Sequence, residues 1–326
     1  MRKRRGQKRS EVLRPGWLSV VCDGHGGPPS LLKRGAVPSP RVLFELSLSS
    51  RGGVRSFMSM PETSPDHAAA AGLEVRTYYV RNRNAFVALA AFSELFVDFF
   101  LHLSEQKIHV QPEHAETFKR ALVAFTLHCA SRPWKEVTAW TIHFEQPPLN
   151  LFLAGDNGDG AITGRVFEEN VREMGANVFY ADVVRGQEPM RRSTVNFTGD
   201  DPLCAVETFY EKSEQRAAKF FQVAEEEFVL VAEHPDLDRA WYDALTTEEV
   251  KSLDATETLA LMERRIYRWQ CGCNQKRMLE VLAPTAKQDL AALFEGDEKI
   301  EMRCPRCGAR YAITREAMEA FLAEPK

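Results

Sequence analysis

Two close pairs of cysteines near the carboxyl end constrain this chain more than any other feature. Cys271 and Cys273 are separated by one residue, Cys304 and Cys307 are separated by two, and 30 residues lie between the pairs. Four thiolates from two turns can complete the tetrahedral shell that zinc adopts in structural sites. The 57 residues from 270 onward are few for a self-sufficient core, and a metal ion would stabilise them. The spacing therefore predicts one Zn²⁺ per chain, bound by these four cysteines.

The local sequence around the second pair is typical of a zinc knuckle. Gly308 lets the backbone curl so that amide N–H groups face the sulfurs, and Pro305 stiffens the turn. The remaining pattern predicts a helix over 276–282 and a second helix that opens at Thr285 with a capping box. Two strands at 299–304 and 310–313 then flank the knuckle, and Thr314 caps a last helix through Phe321.

Basic residues surround both cysteine pairs. Cationic neighbours lower the pKa of a thiol, so these cysteines are expected to be reactive thiolates once zinc is lost. The basic residues are Lys276, Arg277, Arg303, Arg306 and Arg310.

Charge divides the chain into two unlike parts. Residues 1–57 hold 12 Lys/Arg against 3 Asp/Glu, a net charge of +9. Since the whole chain has a net charge of −4, the remainder carries −13. An acidic body argues against a dedicated nucleic-acid binder, whose affinity comes from basic side chains on phosphates. Residues 1–70 show no sustained apolar period and are expected to be a disordered basic extension. Two explanations of this extension stay open: residues 1–57 are an organellar targeting segment, or the protein truly starts at Met58 or Met60.

The body is expected to be an α+β core domain over residues 71–223. Residues 76–132 are interpreted as helical, with helices at 85–104 and 113–129, and alternation between residues 138 and 198 predicts an antiparallel sheet. A helix with Pro202 in its first turn is expected to run to Gln222.

Two stretches within this body invite other interpretations. The apolar run 85–103 carries Glu94 and Asp98, so a buried amphipathic helix and a soluble protein are expected rather than a membrane span. The loop 155–160 resembles a calcium loop, but Phe167 stands where a bidentate Glu is needed, and a tight turn is expected there. Cys129 and Cys204 are predicted to be small buried hydrophobes.

Residues 224–268 are interpreted as a charged helical linker, and residues 269–326 as the zinc-binding domain. The acidic and basic residues from Glu225 to Arg268 leave few apolar anchors per turn, so marginal packing is expected there.

The cysteine pattern, with the sequence CPRCGARYAI, resembles the zinc domain of the redox-regulated chaperone family known as heat shock protein 33. The helix TFYEKSEQRAAKF at 208–220 is similar to the Ser-Glu-Gln helix of that family, and the resemblance covers residues 76–326. The 55 residues between Gln215 and Cys271 make the linker short for the family.

This resemblance implies an ATP-independent holdase that is inactive while reduced and zinc-bound. It implies that oxidants form disulfides Cys271–Cys273 and Cys304–Cys307, eject zinc and unfold the zinc domain and linker, which exposes a surface for unfolding client proteins. It also implies a homodimer when oxidised and a cytoplasmic location. Nucleic acid and membranes are not expected partners, and no enzyme activity is expected.

The main alternative is a zinc ribbon that binds nucleic acid or a partner protein, with zinc purely structural. Arg303, Arg306, Arg310 and Tyr311 could form its basic patch, and salt-dependent binding to DNA or RNA would favour it. A zinc deaminase is disfavoured because Pro305 lies inside its cysteine pair instead of before it. A thioredoxin-like site lacks the βαβ context.

Overall fold

Alternating apolar residues build one large sheet. The computed structural model describes residues 72–324, and these contain a ten-stranded sheet. In their order across the sheet, the strands are β7 Arg191–Phe197, β6 Asn177–Arg185, β3 Glu136–Phe144, β4 Leu149–Asp156, β5 Ala161–Phe167, β10 Leu259–Trp269, β1 Leu73–Val80, β2 Ala85–Ala91, β9 Glu227–Glu233 and β8 Ala218–Gln222. The expected α+β class is confirmed.

Strand β10 joins the two halves of this sheet. Neighbouring strands are antiparallel except β10 and β5, which run parallel and pair only through Arg268 and Trp269, opposite Ala161 and Ile162. On its other side β10 pairs with β1 along eight positions. Strand pairing between the halves is therefore confined to a short ladder next to the first cysteine pair, while α2 packs across both halves.

Helices cover the sheet and complete the carboxyl-terminal part. They are α1 Ser93–Glu105, α2 Pro112–Ala130, α3 Pro202–Phe209 followed by a π-helical turn Tyr210–Glu214, α4 Arg239–Ala244, α5 Thr247–Lys251, α6 Leu253–Thr256, α7 Gln275–Gln288, α8 Leu290–Phe294 and α9 Arg315–Ala323. A hairpin of β11 Lys299–Arg303 and β12 Arg310–Thr314 lies between α8 and α9.

The main core lies between α2 and the sheet. Trp140 is fully buried, and its ring centroid lies 4.9 Å from that of Phe125 and 5.0 Å from that of Phe179. Gly164 lets α2 approach β5, since a Cβ there would lie 2.7 Å from the Phe118 ring. A second cluster packs α4–α6 against β1, β2 and β9, and a third holds α7–α9 against β12.

The helix prediction is wrong for the amino-terminal part of residues 76–132. Residues 73–80 and 85–91 are strands, and the helix begins only at Ser93. Both faces of β2 are largely buried, which gives a strand the same unbroken apolar run as a buried helix. The helix predicted over 113–129 is confirmed as α2, and the antiparallel sheet predicted between 138 and 198 is confirmed as β3–β7.

The helical interpretation of residues 224–268 is also wrong. The segment holds strands β9 and β10 and three short helices between them. The helix predicted to reach Gln222 ends at Glu214, because Gln215 adopts a left-handed conformation with φ 54°. Thr285 lies inside α7, and Asp289 caps the next helix instead. The predicted hairpin and the cap at Thr314 are confirmed.

Two further predictions concern a membrane span and the amino-terminal extension. No helix among residues 72–324 is both long and apolar enough to cross a membrane. The basic extension predicted over 1–70 lies outside the described residues.

Candidate metal centre

The four cysteines of the two pairs meet at one point. Cys271 and Cys273 follow directly on β10, while Cys304 and Cys307 lie in the turn between β11 and β12. All four Sγ atoms lie within 4.8 Å of one another. The structure thus brings together the residues that the spacing singled out.

The separations between the sulfurs fit a tetrahedral metal ion. The Sγ atoms of Cys273 and Cys307 are 3.5 Å apart, and those of Cys271 and Cys304 are 3.8 Å apart. With metal–sulfur bonds of about 2.3 Å, a tetrahedral shell places neighbouring sulfurs roughly 3.8 Å apart. Four thiol donors select soft ions such as Zn²⁺. The second pair is buried and the first is half-buried, so solvent reaches the site from the side of the first pair.

The turn that holds the second pair needs its glycine. Gly308 has φ 79°, in the left-handed region, and its N–H donates to the Cys304 carbonyl over 2.8 Å. The backbone N–H groups of Arg306 and Cys307 donate to the Cys304 sulfur. The predicted curl of the backbone around the sulfurs is confirmed.

Hydrogen bonding among the sulfurs separates their proton affinities. Thiol hydrogen bonds from Cys271 and Cys307 hold the pKa of Cys304 well below its usual range. The bond to Cys304 raises the pKa of Cys271 to about 11, and the bond to Cys271 raises that of Cys307. A divalent cation at this point would hold all four sulfurs as thiolates.

Polar groups outside the cluster orient the first pair. The Tyr311 hydroxyl donates to Cys273 Sγ over 3.1 Å. Arg277 Nη1 donates to the Gly272 carbonyl over 2.5 Å, which fixes the backbone between the two cysteines. Such outer partners position the ligands of a metal and tune their charge.

The sheet and α1 also contact the second pair, through residues that sequence reasoning missed. His102 Nε2 lies 2.9 Å from the Cys307 carbonyl oxygen, and Arg165 Nη1 donates to the Cys304 carbonyl over 3.3 Å. Burial lowers the pKa of the Arg165 guanidinium, which stays charged at neutral pH. These residues lie more than 130 positions before their partners, and no local motif marks them.

Two basic residues beside the second cysteine pair lie near the same acidic side chain. Arg310 Nη1 lies 3.9 Å from Glu301, and Arg303 Nε lies 3.4 Å from the same carboxylate. The Tyr311 hydroxyl bonds to Cys273.

The other two described cysteines differ from each other. Cys129 is buried as predicted, and burial raises its pKa far above the usual range. Cys204 is exposed, so the prediction of a buried Cys204 is wrong: it lies on the outer face of α3. The tight turn predicted at residues 155–160 is confirmed, with Asn157 buried and bonded to the Cys129 carbonyl over 2.9 Å.

Known proteins with similar sequences point to one family. Residues 230–314, which contain β10 and all four cysteines, match the family model described as Hsp33 protein. The chain is 23% identical over 207 residues to the 33 kDa chaperonin of Proteus mirabilis, covering 52% of this chain and 70% of that protein. It is 30% identical over 80 residues to the 33 kDa chaperonin of Caldanaerobacter subterraneus subsp. tengcongensis, covering 24% and 27%. A third match spans 58% of the 33 kDa chaperonin of Pectobacterium carotovorum.

A solved structure has a similar fold. The crystal structure of the 33 kDa chaperonin of Thermotoga maritima, a heat shock protein 33 homolog, superposes with a TM-score of 0.61 at 14% sequence identity. The superposition covers 77% of this chain and 98% of that chain. The similarity therefore extends over the sheet as well as the cysteine cluster.

Proposed function

Because this chain belongs to the Hsp33 family, whose members are chaperones and not enzymes, we propose that it is an ATP-independent holdase activated by oxidation. In the resting state Cys271, Cys273, Cys304 and Cys307 would hold one Zn²⁺ per chain. The observation that carries the proposal is the four-sulfur cluster attached directly to the end of β10.

The activating chemistry is a four-electron oxidation of the zinc site. Each of two peroxide molecules takes two electrons from a pair of thiolates and, with two protons, becomes two waters. The pairs that the family resemblance implies are Cys271 with Cys273 and Cys304 with Cys307. Oxidation of all four thiolates would remove every protein ligand that could hold a Zn²⁺ at this site.

Loss of the metal would unfold the carboxyl-terminal part. Its own apolar core is small, built around Phe294, Ile313 and Met318. A structural zinc contributes on the order of 10 to 16 kcal/mol to the folding of such a unit. Without that contribution, α7–α9 have too little buried apolar area to offset their conformational entropy.

Unfolding would then spread into β10, because the chain passes from Trp269 to Cys271 within two residues. The Trp269 ring packs 5.3 Å from Phe99 and 6.2 Å from Phe118. The parallel ladder to β5 is only two residues long, so release would begin at this end of β10, while the eight-position ladder to β1 holds the rest of the strand. The exposed apolar surface would bind unfolding client proteins. Residues 224–268 would act as the switch segment in this scheme, with 71–223 as the core and 269–326 as the sensor.

A reducing cytoplasm would keep this protein in its zinc-bound resting state. A homodimer in the oxidised state follows from the family resemblance, and sedimentation velocity before and after oxidation tests it.

The proposal is tested by measuring the zinc content of a protein sample and, in the same sample, its ability to keep a client enzyme from aggregating. Purified under reducing conditions, the wild type should contain one zinc per chain and fail to protect a thermally unfolding client enzyme from aggregation. After peroxide it should protect. Cys273→Ser should lose most of its zinc, whereas Cys204→Ser, a matched change outside the cluster, should behave as wild type. Oxidised wild type that never protects, or salt-dependent binding of DNA or RNA in place of protection, would contradict the proposal.

A further inference from the structure

A cavity that contains no residue of the cysteine cluster opens between α3, β8 and α4. Its volume is about 670 Å³, within the size range of small-molecule binding sites. Its lining includes the charged residues Glu207, Glu211, Arg216 and Lys219. Neither the oxidation of the cysteines nor the binding of clients uses any of these side chains.

The wall that α3 and the π-helical turn contribute is acidic. Glu207 Oε1 accepts from the Phe220 backbone N–H over 2.8 Å, and no cationic side chain among residues 72–324 pairs with it. Burial raises the pKa of Glu207, as is usual for a buried carboxyl without a cationic partner. Glu211 follows one helical turn later, is exposed, and has no partner within the same residues. A cation that enters the cavity would therefore meet two unpaired carboxylates.

The wall that β8 and α4 contribute is basic. Lys219 Nζ donates to the Tyr242 and Asp243 carbonyls over 2.8 and 3.2 Å, so its charge faces neutral oxygens instead of a carboxylate. Arg239 also lines this wall, but Glu233 accepts from it over 3.1 Å and balances its charge. The charge left uncompensated on this wall is therefore positive.

Arg216, just before β8, adds a guanidinium edge that holds no anion. Its Nε and Nη2 atoms are enclosed and have no hydrogen-bond partner among the described residues. Glu214 Oε2 lies 3.9 Å from Nη2, beyond hydrogen-bond distance, and is bonded to Arg132 over 2.7 Å. The same two atoms of Arg120 bind both carboxylate oxygens of Asp201, over 3.0 and 2.6 Å. Arg216 thus lacks the oxyanion that this edge is shaped to bind.

The Tyr242 hydroxyl is a second donor without an acceptor. Tyr242 is 2% exposed, and its hydroxyl has no hydrogen-bond partner in the part of the chain that the structure describes. Burial raises the pKa of this phenol, and the charges that act on it most strongly are those of Glu207, Arg239 and Glu233, which all line the cavity. The hydroxyl therefore points toward the cavity, where a ligand oxygen can accept from it.

We propose that this cavity binds small zwitterions, namely amino acids or short peptides with both ends free. The ligand carboxylate accepts from Arg216 and Tyr242 beside Lys219, and the ligand ammonium group faces Glu207 and Glu211. An ion of one sign would serve only one wall, and an uncharged molecule would leave charged groups of both walls without a counter-charge. Binding is expected in the reduced, zinc-loaded protein, because no cysteine of the cluster takes part.

Calorimetric titration of the full-length, reduced protein tests the charge requirement. Glycylglycine carries both charges and should saturate one site per chain. N-acetylglycine and glycinamide each keep one charge and should bind about tenfold more weakly or worse, since each loses a hydrogen bond to a charged group. Either of these two probes binding as tightly as glycylglycine, or no saturation up to about 10 mM glycylglycine, overturns the proposal.

A titration with glycine distinguishes the two members of the ligand class. Tighter binding of glycine than of glycylglycine supports a site for amino acids, and weaker binding supports a site for short peptides.

The thiol of Cys204 reports where the ligand binds, because it is exposed and lines the cavity. Glycylglycine should slow its alkylation by iodoacetamide in proportion to the fraction of protein that is occupied. An unchanged rate at saturation places the ligand elsewhere and overturns the assignment to this cavity.

Two variants probe the two ends of the ligand. Tyr242→Phe deletes only the unpaired hydroxyl and should weaken glycylglycine about 2- to 10-fold, the usual contribution of one hydrogen bond. Glu211→Gln should weaken glycylglycine but leave N-acetylglycine unchanged, since only the ammonium group faces Glu211. Glu173→Gln, an exposed carboxylate outside the cavity, is the matched control. Wild-type affinity for glycylglycine in both Tyr242→Phe and Glu211→Gln refutes the assigned contacts.

Discussion

The charge network at the carboxyl end of α2 allows a quantitative prediction. Glu136 is 0% exposed, and its carboxylate accepts from Arg132 Nε over 2.8 Å and from Arg185 Nε over 2.6 Å. Arg132 Nη1 also pairs with Glu214 over 2.7 Å, in the Ser-Glu-Gln turn. The network therefore ties α2, β3, β6 and the π-helical turn together.

We expect Glu136→Gln to lower the free energy of unfolding by about 1.5 to 3 kcal/mol, the usual contribution of hydrogen bonds to a charged group, because Arg132 keeps Glu214 as a partner and Arg185 reaches solvent. At a urea dependence of about 3 kcal/mol per molar, the midpoint should fall by roughly 0.5 to 1 M. Glu248→Gln is the matched control, because Glu248 is 81% exposed and pairs with Lys251 at 2.8 Å. Such surface pairs contribute about 0.5 kcal/mol or less.

The same residue should give the reduced protein an acid-dependent stability. Burial alone would raise the pKa of Glu136, but the hydrogen bonds from Arg132 and Arg185 outweigh burial and lower it. This stability is present above the pKa of an unfolded glutamate, about 4.3, and is lost as pH falls through the lower folded pKa. The reasoning is refuted if Glu136→Gln unfolds at the same urea concentration as Glu248→Gln, or keeps the wild-type acid dependence.

Three other outcomes follow from single residues. Iodoacetamide should modify Cys204 and spare Cys129 in the folded, zinc-bound protein, because one thiol is exposed and the other is buried with a raised pKa; peptide mass spectrometry reads this, and equal labelling contradicts it. Tyr311→Phe removes the donor to Cys273 and should weaken zinc affinity about 10- to 100-fold in a chelator competition; unchanged affinity would remove Tyr311 from the site. Burial lowers the pKa of His128 well below 6.5. The free energy of unfolding should therefore fall as pH drops from 6.5 toward 5, by up to about 1.4 kcal/mol per pH unit. In urea titrations His128→Asn should flatten that pH dependence.

The cysteine cluster could be predicted because its information is local. Two short spacings place each sulfur pair in one turn, and Gly308 marks the turn that needs a positive φ. The strands β3–β7 are equally accessible, because buried and less buried positions alternate over at least part of β3 and β4 and turns separate the strands.

The middle of the sheet could not be predicted from local pattern. Strand β2 buries most of both faces, so its apolar residues show no period of two. Strand β10 buries Arg265, which donates to the Arg132 carbonyl over 2.7 Å, and a buried arginine looks from the sequence like a residue on a solvated helix. Its partner β1 lies 179 to 194 positions earlier, beyond the reach of periodicity.

The contacts between the core and the knuckle were also invisible in the sequence. His102 and Arg165 bind main-chain carbonyls, so no complementary side chain at Cys304 or Cys307 indicates these contacts in the sequence. Cys204 was misassigned because its neighbours Leu203 and Ala205 are buried while its own position on the short α3 faces outward.

Release of the metal ion and binding of client proteins are one event in this scheme. This coupling is tested most directly by titrating the reduced protein with peroxide and measuring, in the same samples, the zinc released to a chromophoric chelator and the fraction of client kept from aggregating. The account predicts that both rise together and saturate at the same oxidant dose, with one zinc released per chain. Complete zinc release with no protection, or full protection while the zinc stays bound, would contradict it.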